Sequence, residues 1–190
     1  MIIYLHGFAS SGKAYKSKLL RKFLPDIEVI SPDLPLEPIK AIETVRDIIE
    51  KRSDKDRVLL VGSSLGGFYA YYIHKEFGFP AVLLNPTVNP FQDLKGRAGI
   101  NYRIDGNETF EWKDEYSIQL RELYRDAGKT GRNHLYVYLN KDDEVLDYKK
   151  SEAFFRAIGC KIQLFDKGGH VFTNFDQIIP DIKRIYHNLK

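Results

Sequence analysis

The sequence predicts an α/β fold, a mostly parallel six-stranded sheet with helices on both faces. Two observations carry this. Short apolar runs, most of them rich in β-branched or aromatic residues, alternate with stretches of helical periodicity, and Gly, Pro, Asp or Asn bound them. Alternation of this kind lays consecutive strands parallel, because a helix returns the chain to the starting edge before the next strand begins. The length, 190 residues, suits one domain with a core large enough to need no covalent staples.

Six runs read as strands: Ile2–Leu5, Ile27–Ile30, Val58–Val61, Ala81–Leu84, Leu135–Leu139 and Lys161–Phe165. A first helix is expected around Ala14, Tyr15, Leu19, Leu20 and Phe23, with Lys13, Lys16, Lys18, Arg21 and Lys22 as its solvated face. Ile39, Ile42, Val45, Ile48 and Ile49 mark a second helix, which Pro38 opens at its first position. Phe68 to Phe77 is a third, closed by Gly78, and Asp147 to Ile158 a fourth, closed by Gly159. Ile178, Ile182, Ile185 and Leu189 give the terminal helix its apolar stripe.

The alternation breaks once, between Thr87 and Gly131. So long an excursion carries function or disorder, and its aromatic content (Phe91, Tyr102, Phe110, Trp112, Tyr116, Tyr124) argues against disorder. Its later part, Lys113 to Ala127, has a helical pattern. The stretch 87–131 is therefore expected to be a lid over the strand ends, inserted into a single domain spanning 1–190.

Composition excludes several classes. Hydrophobic residues make up 43% and charged residues 29%, ordinary for a globular chain. The lone cysteine, Cys160, rules out an internal disulfide framework or a multi-cysteine zinc site. A net charge of +3, from 29 basic and 26 acidic side chains, is too mild to argue for nucleic acid. No apolar run is long enough to span a bilayer and no secretory signal is evident, so a cytoplasmic protein is expected.

The chemistry is concentrated in Gly62-Ser63-Ser64-Leu65-Gly66, a G-x-S-x-G pattern placed directly between an apolar strand and a helix. A strand-to-helix elbow lifts the central Ser64 out of the sheet toward a base, which a serine needs to become a nucleophile. Such an elbow predicts an acid and then a histidine later in the chain. Asp142, Asp143 and Asp147 follow the fifth strand, with Asp143 in the expected register; His170 follows the sixth, in Gly168-Gly169-His170. His74, His134 and His187 fall within a helix, at a strand start and on the terminal helix, where they fit less well. Acyl transfer also needs two N–H groups aimed at the developing oxyanion, and the backbones of Leu65 and Phe8, the latter in His6-Gly7-Phe8 after the first strand, are the natural pair. The same loop matches G-x-x-x-x-G-K from Gly7 to Lys13, but Ala14 stands where a phosphate-binding loop needs the hydroxyl that holds magnesium.

These residues together resemble the YqiA-like esterases. The matching motifs are Leu5-His6-Gly7-Phe8, Gly62 to Gly67, Asn85-Pro86 with Pro90-Phe91, Asp143 to Tyr148 and Gly168-Gly169-His170. The resemblance implies an α/β-hydrolase fold without the usual leading hairpin. It also implies esterase activity on acyl esters, acyl-CoA thioesters included, with Ser64 as nucleophile, Asp143 as acid and His170 as base. The expected function is a carboxylesterase for short- to medium-chain acyl esters that uses neither metal nor organic cofactor. Two alternatives stand beside it. One is a thioesterase with the same three residues, in which Lys13, Arg97 or Arg103 meets the CoA phosphates; the other is a non-catalytic binding module on a hydrolase scaffold.

Overall fold

A computed structural model describes residues 1–52, 57–104, 106, 108–127 and 134–189. The six predicted strands are all present: β1 (Ile2–Leu5), β2 (Val29–Ile30), β3 (Leu59–Ser63), β4 (Ala81–Leu84), β7 (Leu135–Asn140) and β8 (Lys161–Phe165). They form one sheet in the order β2-β1-β3-β4-β7-β8, and every neighbouring pair is parallel. β2 is shorter than its apolar run. Ile27 is taken up in a turn closed by its N–H on Leu24 O, which leaves two residues for the ladder.

Side chains alternate across this sheet with period two, and both faces are covered. Ile3, Leu5, Leu60, Leu83, Val137 and Leu139 face one core, packed by α2 (Pro38–Glu50), α3 (Leu65–Phe77), α5 (Asp114–Ala127) and α6 (Tyr148–Ala157). Ile2, Tyr4, Leu59, Val61, Val82, Leu84 and Tyr138 face the other, under α1 (Tyr15–Phe23) and α7 (Ile179–His187). A short 3-10 turn, Phe175–Ile178, leads into α7. One reading of α1 is corrected. Lys13, Lys18, Arg21 and Lys22 are exposed, but Lys16 is buried on the inner face, and burial pushes its ammonium down to about 8.

The stretch that interrupts the alternation contains α4 (Pro90–Asp93), an antiparallel hairpin of β5 (Gly99–Tyr102) and β6 (Thr109–Trp112), and α5. The hairpin was not foreseen. On β5 the apolar residues Ile100 and Tyr102 point outward while Asn101 is half-buried, the reverse of the usual pattern. The far end of this stretch, 128–131, lies outside the described residues. Among the described residues no helix is long and apolar enough to cross a membrane.

Candidate active site

Ser64 joins β3 to α3 with φ 56° and ψ −121°, a left-handed conformation that costs a non-glycine residue on the order of 1–3 kcal/mol and persists only where its surroundings impose it. Those surroundings are main chain. The Ser64 N–H donates to Leu84 O at 3.0 Å, and its carbonyl accepts from Gly67 N at 2.9 Å and Thr87 N at 3.3 Å. Gly66 has no room for a side chain: a Cβ there would lie 2.1 Å from Leu5 O and 2.4 Å from His6 O. The first turn of α3 thus presses directly on β1, and the serine is thrust up at the carboxyl edge of the sheet.

His170 meets it there. Its Nε2 lies 2.9 Å from Ser64 Oγ, and its Nδ1 lies 3.0 and 2.9 Å from the two carboxylate oxygens of Asp143. An ionised carboxylate only accepts, so the proton sits on Nδ1 and leaves Nε2 free to accept from the serine hydroxyl. The Asp143 side chain is 1% exposed and that of His170 17%, so the pair is largely sealed from water. Oδ1 of Asp143 also accepts the N–H groups of Val145 and Leu146 at 2.9 and 2.8 Å, which fixes the carboxylate plane.

The other acids divide differently. Asp142 faces the histidine's loop and accepts Gly169 N at 2.9 Å and Gly168 N at 3.2 Å; donation from Gly169 above all holds its carboxyl below the ordinary range. Asp147 caps α6 by accepting from Lys149 N. Of the other histidines, His74 is buried within α3, His134 directly precedes β7 and His187 ends α7.

Sequence reasoning missed the supports of the histidine loop. Glu144 accepts the His170 N–H at 2.9 Å. Asn85 and Asn140, at the carboxyl ends of β4 and β7, each donate to Gly169 O at 2.9 Å, and Asn85 Oδ1 accepts the Asn140 N–H. Asn174 donates to Asn140 Oδ1 at 3.1 Å and to Lys167 O at 3.1 Å. Polar residues ending two otherwise apolar strands were the available signal.

Phe8 follows β1, the strand beside β3, so the loop that carries it lies next to the Ser64 elbow. Gly7 makes that approach possible: a Cβ there would lie 3.0 Å from Ser64 Cβ and 3.2 Å from Ser63 O. Among the described residues neither the Phe8 nor the Leu65 N–H donates to a protein acceptor. Both residues line a narrow cleft of about 20 Å³, together with Leu34, Leu36, Tyr69 and Trp112. Arg103 lines this cleft and also a polar cavity of about 560 Å³, together with His6, Ser10, Ser11, Lys13, Asp33 and Glu108. In the G-x-x-x-x-G-K stretch the Asp33 carboxylate already accepts the Gly12 N–H at 2.6 Å, where a phosphate cradle needs that donor free. Among the described residues no group of three His, Cys, Asp or Glu side chains is placed to hold a metal ion.

Comparison with known proteins agrees with this architecture. Residues 1–187 match the model of UPF0227, described as an uncharacterised protein family. The chain belongs to this family. A UPF0227 protein of Serratia proteamaculans is 32% identical over 192 residues, covering 97% of this chain and 96% of that one. The UPF0227 protein YcfP of Salmonella arizonae is 29% identical over 194 residues, with the same coverage, 97% and 96%. The family resemblance read from the sequence motifs therefore holds. Among solved structures, mouse α/β-hydrolase domain-containing protein 10 superposes with a TM-score of 0.76 at 15% identity, covering 100% of this chain and 90% of that one. Est1E from Butyrivibrio proteoclasticus, solved with ferulic acid bound, gives 0.72 at 16% identity, covering 99% and 88%. The fold is that of the α/β-hydrolases, as the sequence predicted.

Proposed function

We propose that this UPF0227 protein is a serine carboxylesterase that cleaves short acyl esters through an acyl-enzyme on Ser64. The observation that carries the reading is the continuous line of contacts from Ser64 Oγ through His170 to the enclosed Asp143 carboxylate. In this mechanism Oγ attacks the ester carbonyl while its proton passes to His170 Nε2, and Asp143 stabilises the imidazolium without taking the proton. The carbonyl oxygen gains the negative charge and is received by the N–H groups of Phe8 and Leu65, which have no competing acceptor among the described residues. Collapse of the tetrahedral intermediate expels the alcohol, protonated from Nε2. A water deprotonated by the same nitrogen then releases the acid and restores Ser64.

The narrow cleft beside Phe8 and Leu65 has room for roughly one water molecule, which favours small acyl groups such as acetyl. The polar cavity next to the same loop supports a second reading, a thioester on a phosphorylated carrier, with Lys13 and Arg103 on its wall. The binding-module reading predicts no covalent chemistry at all. The deciding experiment is hydrolysis of p-nitrophenyl acetate and butyrate by the wild type and Ser64→Ala, with fluorophosphonate labelling of both. Turnover and labelling should both depend on Ser64, with a loss of about 10⁴-fold or more in kcat in the variant. A folded wild type that neither turns over nor labels would leave the binding module.

A further inference from the structure

The loop that carries the Phe8 N–H is held in part by its own neighbours. Within it Ser10 N reaches Gly7 O at 3.3 Å, and the His6 ring, which accepts Leu34 N–H on Nε2, donates from Nδ1 to Gly7 O at 3.0 Å. Ala9 sits at φ 60°, a conformation that a non-glycine residue keeps only under outside constraint. The constraint comes from the β5–β6 hairpin, about ninety residues downstream. Arg103 Nη1 donates to Ser10 O at 2.8 Å, and Ile104 N donates to Ala9 O at 2.9 Å. The Phe8 ring packs edge-on against Phe110 and Trp112, at 5.4 and 5.1 Å between centroids, with the Arg97 guanidinium over it at 5.8 Å. Arg103 in turn lies over the Phe110 ring at 5.0 Å, so one side chain ties the loop's carbonyl to the aromatic group that grips Phe8.

We propose that Arg103 is a positioning residue for the oxyanion donor, and that the hairpin serves as a clamp on the 7–10 loop rather than only as a cover. This rests on the serine-hydrolase reading. A charge-assisted bond to a backbone carbonyl is stronger than a neutral one, and together with the Ile104 N–H it holds two consecutive carbonyls, those of Ala9 and Ser10. The Phe8 N–H stabilises a transition state only if it stays within a few tenths of an ångström of where the oxyanion forms. Arg103 never touches the substrate in this account. Its loss costs part of one donor's contribution, itself worth about 10²–10³ in kcat.

The test uses Arg103→Met, Arg103→Lys and Ile104→Pro, the last removing the second main-chain donor. Each is compared with the wild type on p-nitrophenyl acetate, a neutral substrate, and against a boronic acid that mimics the tetrahedral intermediate. Arg103→Met should lower kcat by about 10- to 100-fold with KM unchanged, and weaken the boronate by a similar factor. Arg103→Lys, which keeps a charged donor, should recover part of the loss, and Ile104→Pro should repeat it in milder form. A raised KM with unchanged kcat would make Arg103 a substrate contact and overturn the proposal. Amide hydrogen exchange provides the readout that does not need turnover. The Ser10 and Ile104 amides, which donate to Gly7 O and Ala9 O, should exchange faster in Arg103→Met while α3 stays protected. Unchanged exchange there overturns the clamp even if Ser64-dependent hydrolysis is found. Faster exchange without any hydrolysis in the wild type upholds the clamp and removes the esterase reading instead.

Discussion

Two segments meet at the carboxyl edge of adjacent strands and are held in opposite ways. The elbow after β3 is fixed by main-chain bonds to Leu84, Gly67 and Thr87 and by the backbone-to-backbone pressure of Gly66 on β1. The loop after β1 is fixed by a distant hairpin, through an arginine side chain, one amide and a group of aromatic rings. Position at Ser64, the proposed nucleophile, is thus set by main-chain packing among adjacent strands. Position at the proposed oxyanion donor is encoded across the chain.

The sharpest way to break this contrast is at the glycines. Gly66→Ala forces a methyl group into the carbonyls of Leu5 and His6, at the carboxyl end of β1. It should cost about 3 kcal/mol or more and deplete folded protein, which a urea melt would register. Gly7→Ala meets softer resistance, because its Cβ would lie 3.0 Å from Ser64 Cβ and 3.2 Å from Ser63 O, well beyond the approach forced at Gly66. The expectation is a folded protein with a thermal midpoint near the wild type and kcat lowered by roughly 10²-fold, as one oxyanion donor is displaced. Equal destabilisation by the two substitutions would mean that the loop is as rigidly built as the elbow.

The histidine loop lies between these extremes and sharpens the comparison through two adjacent carboxylates. Asp143→Asn should cost up to about 10⁴-fold in kcat, because an amide at this site favours the wrong imidazole tautomer. Asp142→Asn removes only the charge that orders Gly168 and Gly169, so a loss of about 10-fold is expected. If Asp142→Asn proves the more damaging, the assignment of the acid is wrong. The pH dependence separates them further. The Asp142 carboxyl is depressed in the folded state, so its ionised form stabilises the loop above the unfolded value of about 3.9 and loses that effect as pH falls through the lower folded value. Thermal midpoints of wild type and Asp142→Asn should differ at pH 7 and converge once pH falls below the depressed folded-state value.

How much of this was legible in the sequence follows the same division. Ser64, Asp143 and His170 were readable because each follows a strand whose apolar run announces it, and a parallel sheet gathers strand ends on one edge. The hairpin was not: Ile100-Asn101-Tyr102 and Thr109-Phe110-Glu111-Trp112 both alternate, but each strand is only four residues long, too short for the pattern to stand out. Asn85, Asn140 and Glu144 were overlooked for another reason. Their work is to hold backbone groups of a loop distant in sequence, and no local pattern records a partner 29 or 84 residues away. Lys16 was misread because a basic run on an amphipathic helix does not say which of its members lies on the inward side.

The 106 positions between Ser64 and His170 have a consequence for how the molecule assembles. β1 nests between two strands that come later in the chain, and the histidine loop can settle only after β4, β7 and β8 have paired to supply Asn85 and Asn140. Contacts so far apart close late and slowly, after the local helices have formed. On the proposed serine mechanism, regain of Ser64 reactivity in a refolding experiment is therefore a clock for the last step of folding, running behind the recovery of helical signal.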